Sequence, residues 1–172
     1  TLVDAFARVP GLALAFARRH LIDERSGLIR DELATAFPAT EDVLIDGHDL
    51  VDFLADHTLN FLGEPSAAMC RRAQVLALGD RLPFLGDTRI AWVADLAMYV
   101  KLMRSGPVAM SCRPLLGFRI SRHQFSQHGR DTPGIGQDHH DAFRQAIRAL
   151  GWYRGGDTRQ VAVAPLDGTR PA

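Results

Sequence analysis

Two spacings alternate in the apolar positions along this chain. Leu2, Ala5 and Phe6 fall at helical intervals and Pro10-Gly11 ends them, so residues 1–9 read as the tail of a helix. Leu12, Leu14 and Phe16 alternate with alanines over 12–18, the pattern of a buried strand. His20 to Asp23 then runs through the turn signal Arg25-Ser26-Gly27 into Leu28-Ile29, which starts a second short strand. Residues 37–47 read as a loop. Over 48–59, Leu50, Val51, Leu54, His57 and Thr58 keep a helical period, with Asp46 or His48 standing where an N-cap belongs.

Residues 60–66 form a loop in which Gly63 and Pro65 flank a single acid, Glu64. Residues 67–70 are short and apolar, and 73–78 are apolar with few breakers. Gly79, Pro83 and Gly86 predict irregular chain as far as Asp87. A helix follows with Trp92, Leu96, Tyr99, Val100 and Met103 on one stripe, stopped by Ser105-Gly106-Pro107. Residues 108–112 and 115–120 predict two strands, and 129–136 a polar loop. Residues 137–150 make the clearest amphipathic helix, with Ala142, Phe143, Ala146, Ile147 and Leu150 as its apolar face. A last strand is predicted over 161–164, and the tail after Pro165 is expected to lack order. Strands interleaved with helices give an α/β class, a mixed sheet flanked by helices.

Composition narrows the field. With 172 residues the chain suits one domain and can bury a core, and 47% hydrophobic with 23% charged residues is ordinary for a globular protein. The formal net charge is zero, so no global field draws it to nucleic acid or to an anionic membrane. Lys101 is the one lysine among 20 basic residues; coding bias explains this, although arginine forks also suit phosphate and carboxylate recognition. Cys70 and Cys112 close short, mostly apolar runs and read as free thiols of a reducing, cytoplasmic setting. No apolar run reaches the roughly 18–20 residues that span a bilayer, and no signal peptide is visible. The chain opens without methionine and already inside a helix-like pattern, as a fragment or a processed product would.

Three groups of residues can carry chemistry. His48, Asp52 and Asp56 fall at i, i+4 and i+8 with Asp49 and His57 beside them, a face that either binds a divalent metal or is simply solvated opposite the Leu50/Val51/Leu54 stripe. Asp138-His139-His140-Asp141 reads as the acidic first turn of the last helix, because adjacent histidines on a helix point about 100° apart and cannot easily share an ion. The third is Asp95, a lone carboxylate between Trp92, Met98 and Tyr99 near the start of a largely apolar helix. A buried carboxylate is costly unless paired or used. It is then an N-cap, a partner for an arginine, or a general base at the edge of a cleft.

The run GEPSAAMCRR followed by WVADLAMYVKLMRSGPVAMSCRPLLGFRISRHQFS resembles the C-terminal, acceptor-side half of inverting family 2 glycosyltransferases of the GT-A fold. The residues that carry the resemblance are Gly63, Glu64, Pro65 and Ser66, then Arg71, Asp95-Leu96, Gly106, Pro114-Leu115, Arg119, Gln124 and Ser126. With Asp23 and Gly27 in an earlier segment, it covers roughly residues 1–127, leaving 128–172 as a C-terminal helix and a partly flexible tail. It implies transfer of a sugar from a nucleotide-sugar donor to an acceptor hydroxyl, with Asp95 as base and 63–66 shaping the acceptor pocket. Trp92 would stack on a sugar or pack in the core. Arg119, with Arg122 or His123, would face the leaving diphosphate. A divalent cation, Mg or Mn, would be held by a nucleotide-binding half with an Asp-x-Asp motif, and no Asp-x-Asp occurs here. Without that half this chain should bind nucleotide-sugar poorly. Ser121 stands where the family writes histidine, with His123 displaced by two, and Val93 stands where it often writes a second acid. Two other readings remain. One is a metal-dependent phosphohydrolase built on His48, Asp49, Asp52 and the His139-His140-Asp141 cluster; the other is a non-catalytic interaction module.

Overall fold

The computed structural model describes residues 1–30, 36–122 and 135–166. Thr1 caps helix α1 (Leu2–Arg8) through a reciprocal capping box with Asp4, so the first apolar stripe is a short helix with its own N-cap. Strand β1 (Leu14–Ile22) is longer than the alternation alone indicates and continues through His20 to its hairpin partner β2 (Leu28–Ile29). Residues 37–47, expected to be a loop, contain strand β3 (Val43–Ile45). Three residues are too few to show a period, and what holds them is pairing with distant strands.

Asp46 caps helix α2 (Gly47–His57), accepting from the His48 and Asp49 amides. After α2 come a 3-10 turn (Pro65–Ala67), strand β4 (Ala68–Cys70), helix α3 (Arg72–Leu78) and a small hairpin of β5 (Phe84–Leu85) and β6 (Thr88–Arg89). The 79–87 region thus has regular pieces where its glycines and proline predicted none. Helix α4 (Ala94–Met103) leads into β7 (Val108–Arg119), and α5 (Ile135–Ala149) precedes β8 (Val163–Pro165).

The two strands expected over 108–120 are one strand. β7 runs parallel to β1, and the register jumps from Ala17↔Ser111 to Arg19↔Leu116. Pro114 lies in the stretch that the jump leaves unpaired, where its missing N–H costs no ladder bond. The main sheet has the order β2-β1-β7-β3-β8, with β4 on β1 as well; every pair except β1–β7 is antiparallel.

The two faces of the sheet are covered unequally. Leu14, Phe16, Val43, Ile45, Val108 and Met110 face α2, α4 and α5, whose Leu50, Leu54, Leu96, Tyr99, Val100, Phe143 and Ile147 complete the main core. The opposite face carries small residues, Ala15 and Ala109, which let α1 approach through Ala5. The described C-terminal residues belong to this same body, since α5 enters the main core and β8 pairs with β3. Gly47 is required where α2 meets the end of α4: a Cβ there would collide with the carbonyl oxygens of Met103 and Gly106.

Candidate functional site

Beyond the register jump, β1 carries Arg19, which is only 5% exposed, whereas its neighbours Arg18 and His20 are half-buried and exposed. Its guanidinium donates to the carbonyls of Phe61 and Asn60, each at 3.3 Å, and its Nε lies 3.2 Å from Glu64 Oε2. The last contact is an ion pair without the alignment of a hydrogen bond. One buried cation therefore shapes the whole 60–64 turn from beneath. Gly63 makes this possible: its φ is +80°, and any Cβ would run into the Arg19 guanidinium.

Helix α4 delivers the second half of the site. Asp95 is the second helical residue, with Val93 in the cap position, so it is not an N-cap. It sits half-buried where the helix dipole favours a carboxylate. Asp95 Oδ1 accepts from the Leu96 amide at 2.8 Å, and Oδ2 accepts from Asn60 Nδ2 at 3.1 Å. Asn60 Oδ1 in turn accepts from the Gly63 amide at 3.2 Å, and the buried Tyr99 hydroxyl donates to the Gly63 carbonyl at 3.3 Å. Two stretches some thirty residues apart, 60–64 and 95–99, thus close on each other around one carboxylate.

Electrostatics follow from this enclosure. Burial raises the Asp95 pKa above the usual carboxylate value, and the Asn60 and Leu96 donors with the Arg19 charge hold it back only partly. Burial also raises Glu64; Arg19 opposes the rise and Asp95 adds to it. The Tyr99 phenol is pushed up by burial and then by the charges of Asp95 and Glu64, and stays a donor. A carboxylate in this setting, with its proton affinity raised, can serve as the acceptor for a hydroxyl proton brought to Asp95.

The remaining sequence candidates lie around or away from this cluster. Pro65 and Ser66 are exposed on the 3-10 turn that continues from Glu64. Trp92 is half-buried against the main core, just ahead of α4. Arg119 donates to the Asp23 carbonyl at 2.6 Å and to Ser26 Oγ at 3.0 Å, closing the β1–β2 turn. The β1–β7 register sets it opposite Ile22, three residues past Arg19 and about 10 Å along the strand. Arg122 makes its contacts with Glu24. His123, Gln124 and Ser126 lie outside the described residues.

The acids of α2 are engaged by arginines from later in the chain rather than turned wholly to solvent. Asp52 is buried and accepts from the Arg154 amide and Nε at 2.9 and 2.8 Å, and Asp49 accepts from Arg154 Nη2 at 2.6 Å. Asp56 accepts from Arg148, Tyr153 and Thr158. These carboxylates fasten the segment after α5. Among the described residues no three His, Cys, Asp or Glu side chains gather as a metal site. A cleft of about 420 Å³ beside this clamp is lined by Asp49, Asp52, Arg154 and Thr158 with Asp157 and Gln160, and an apolar one of about 270 Å³ lies between Phe53, Phe61 and Val163.

Sequence reasoning missed Arg19, Asn60 and Tyr99. The sequence held little signal for Arg19, because in the run Arg18-Arg19-His20 nothing marks which of the three is buried. No family model, curated protein or solved structure matches this chain.

Proposed function

We propose that this chain is the acceptor-side portion of an inverting GT-A glycosyltransferase of family 2, with Asp95 as its general base. One observation carries the reading. The GEPS turn and the helix-opening aspartate, two elements of the resemblance, meet through the Asn60–Asp95 and Tyr99–Gly63 hydrogen bonds. A mixed α/β sheet with a parallel central pair is compatible with it.

In the proposed reaction the acceptor hydroxyl oxygen attacks the anomeric carbon of the donor while its proton passes to Asp95. The bond from that carbon to the diphosphate oxygen breaks, its electron pair leaves on the nucleotide diphosphate, and configuration inverts. The raised pKa of Asp95 strengthens it as a base, while the Asn60 and Leu96 donors and the Arg19 charge favour its ionised form. Glu64 and Arg19 neutralise each other and fix the turn that lines the acceptor side, with Pro65 and Ser66 open to solvent at its rim.

The donor and its divalent cation fall to a nucleotide-binding half that this sequence does not supply. The described residues offer that cation no three-ligand group. Partners under this reading are a nucleotide-sugar and a hydroxyl-bearing acceptor. No helix among the described residues is long and apolar enough to cross a membrane.

The test is Asp95→Asn in the full-length gene product, assayed for transfer from a panel of nucleotide-sugars. Turnover should fall about 10²–10⁴-fold while nucleotide-sugar binding is retained. Undiminished turnover would remove Asp95 from the role of base.

A further inference from the structure

We infer that Asn60 is the positioning residue of the Asp95 carboxylate, locking the base to the 63–66 turn through the two ends of one amide. The inference deepens the glycosyltransferase reading and takes from it only the name of the reaction.

The Gly63 backbone N–H can only donate, so the group facing it at 3.2 Å must be the Asn60 amide oxygen. That fixes the orientation of the amide and turns its NH₂ toward Asp95 Oδ2, 3.1 Å away, where an ionised carboxylate can only accept. Asn60 is held from behind as well, since its own carbonyl accepts from Arg19 Nη2. The Leu96 amide holds the other carboxylate oxygen. With one donor on each oxygen the plane of the carboxylate is set, and the lone pairs left over define where a hydroxyl must arrive. No other side-chain amide is bonded to both the helix and the turn among the described residues.

The charged and titratable groups that face Asp95 are Arg19 from β1, Glu64 from the turn and Tyr99 from its own helix. None of them replaces the Asn60 donor: Arg19 is committed to Glu64 and two carbonyls, and Tyr99 to Gly63. The amide hydrogen bond favours the ionised form of Asp95, so its removal lets burial hold the proton to higher pH.

Asn60→Asp separates the two ends of the amide. It keeps an oxygen for the Gly63 N–H, takes away the donor to Asp95 and adds a like charge beside it, so the uncharged Asn60→Ser is measured with it to read the loss of the donor by itself. In the full-length protein the acid limb of kcat/KM should move to higher pH, with kcat/KM at pH 7 reduced at least tenfold and KM for the nucleotide-sugar unchanged. Independently of activity, the Asp95 carboxyl ¹³C resonance, assigned by its loss in Asp95→Asn, should titrate at higher pH in Asn60→Asp than in the wild type. Asn60→Ser, shorter and uncharged, gives up the amide donor without adding a carboxylate, and it should raise the Asp95 titration in the same direction by a smaller step; this variant decides the role of the hydrogen bond. An unmoved Asp95 titration in the folded variant overturns the inference. A shifted titration in a protein that transfers no sugar overturns the glycosyltransferase reading and leaves Asn60 as the positioning residue.

Discussion

Replacing Arg19 by methionine tests whether the buried ion pair holds the site together. The side chain is 4% exposed and its partner Glu64 27%, so neither charge is well screened by water. Methionine fills much of the aliphatic volume but abandons the Phe61 and Asn60 carbonyls and leaves Glu64 facing Asp95 without a counter-charge. Breaking a buried pair from one side costs about 3–5 kcal/mol. Against a urea slope of about 2 kcal/mol/M, that is a fall in midpoint of roughly 1.5–2.5 M. Adding Glu64→Gln should return about 1–2 kcal/mol, within the usual coupling of contacting residues. The pH dependence has a definite sign. Burial holds the folded-state pKa of Glu64 above the ordinary 4.5 even beside Arg19. The native state therefore binds more protons between the two values, and the contribution of this group is lost as pH rises through the folded pKa. Loss of Arg19 moves that pKa further up, so the deficit of Arg19→Met relative to wild type should shrink as pH is lowered from 7 toward 5. Single-variant costs that add to within about 0.5 kcal/mol in the double variant, or a deficit that grows on acidification, would refute the pairing.

Two further substitutions probe the frame around the site. Gly47→Ala forces a methyl onto the Met103 and Gly106 carbonyls, both backbone atoms that cannot swing aside, and thermal unfolding should report a loss of about 3 kcal/mol. Asp52→Ala strips Arg154 of its buried acceptor at a cost of about 2 kcal/mol; the effect should be local, with amide exchange speeding up over residues 152–166 and little change in β1.

How much of this was written in the sequence depends on the range of the interaction that fixes each part. Helices α2, α4 and α5 were legible because their apolar stripes repeat over ten or more residues, and Asp46 is a cap readable from its neighbours. The β1–β2 hairpin was legible through Arg25-Ser26-Gly27. Strand β3 was not, since its three residues are held by β7 and β8 from far along the chain. Pro114 divided β7 in the sequence because a proline ordinarily ends a ladder, whereas here it falls in the register jump. Asp95 stood out by its cost in an apolar helix. Asn60 did not, because an asparagine ahead of a glycine is common turn chemistry, and only the folded chain shows its second bond to Asp95. The α2 acids were readable as a face but not as anchors, since their arginines come about a hundred residues later.

The central pairing of β1 with β7 has a consequence during synthesis. Leu14 and Val108 are register partners separated by most of the chain. At about 5–20 residues per second, β7 leaves the ribosome roughly 5–20 s after β1. Collapse and hairpin formation are far faster, so β1 spends that interval with only the two residues of β2, and later the three of β4, as partners. Its first four residues, Leu14 to Ala17, all buried in the finished protein, are then an unpaired apolar edge on a nascent chain. Yield in a cell should therefore respond to elongation rate and to chaperones that bind extended apolar segments, even where the finished fold is stable.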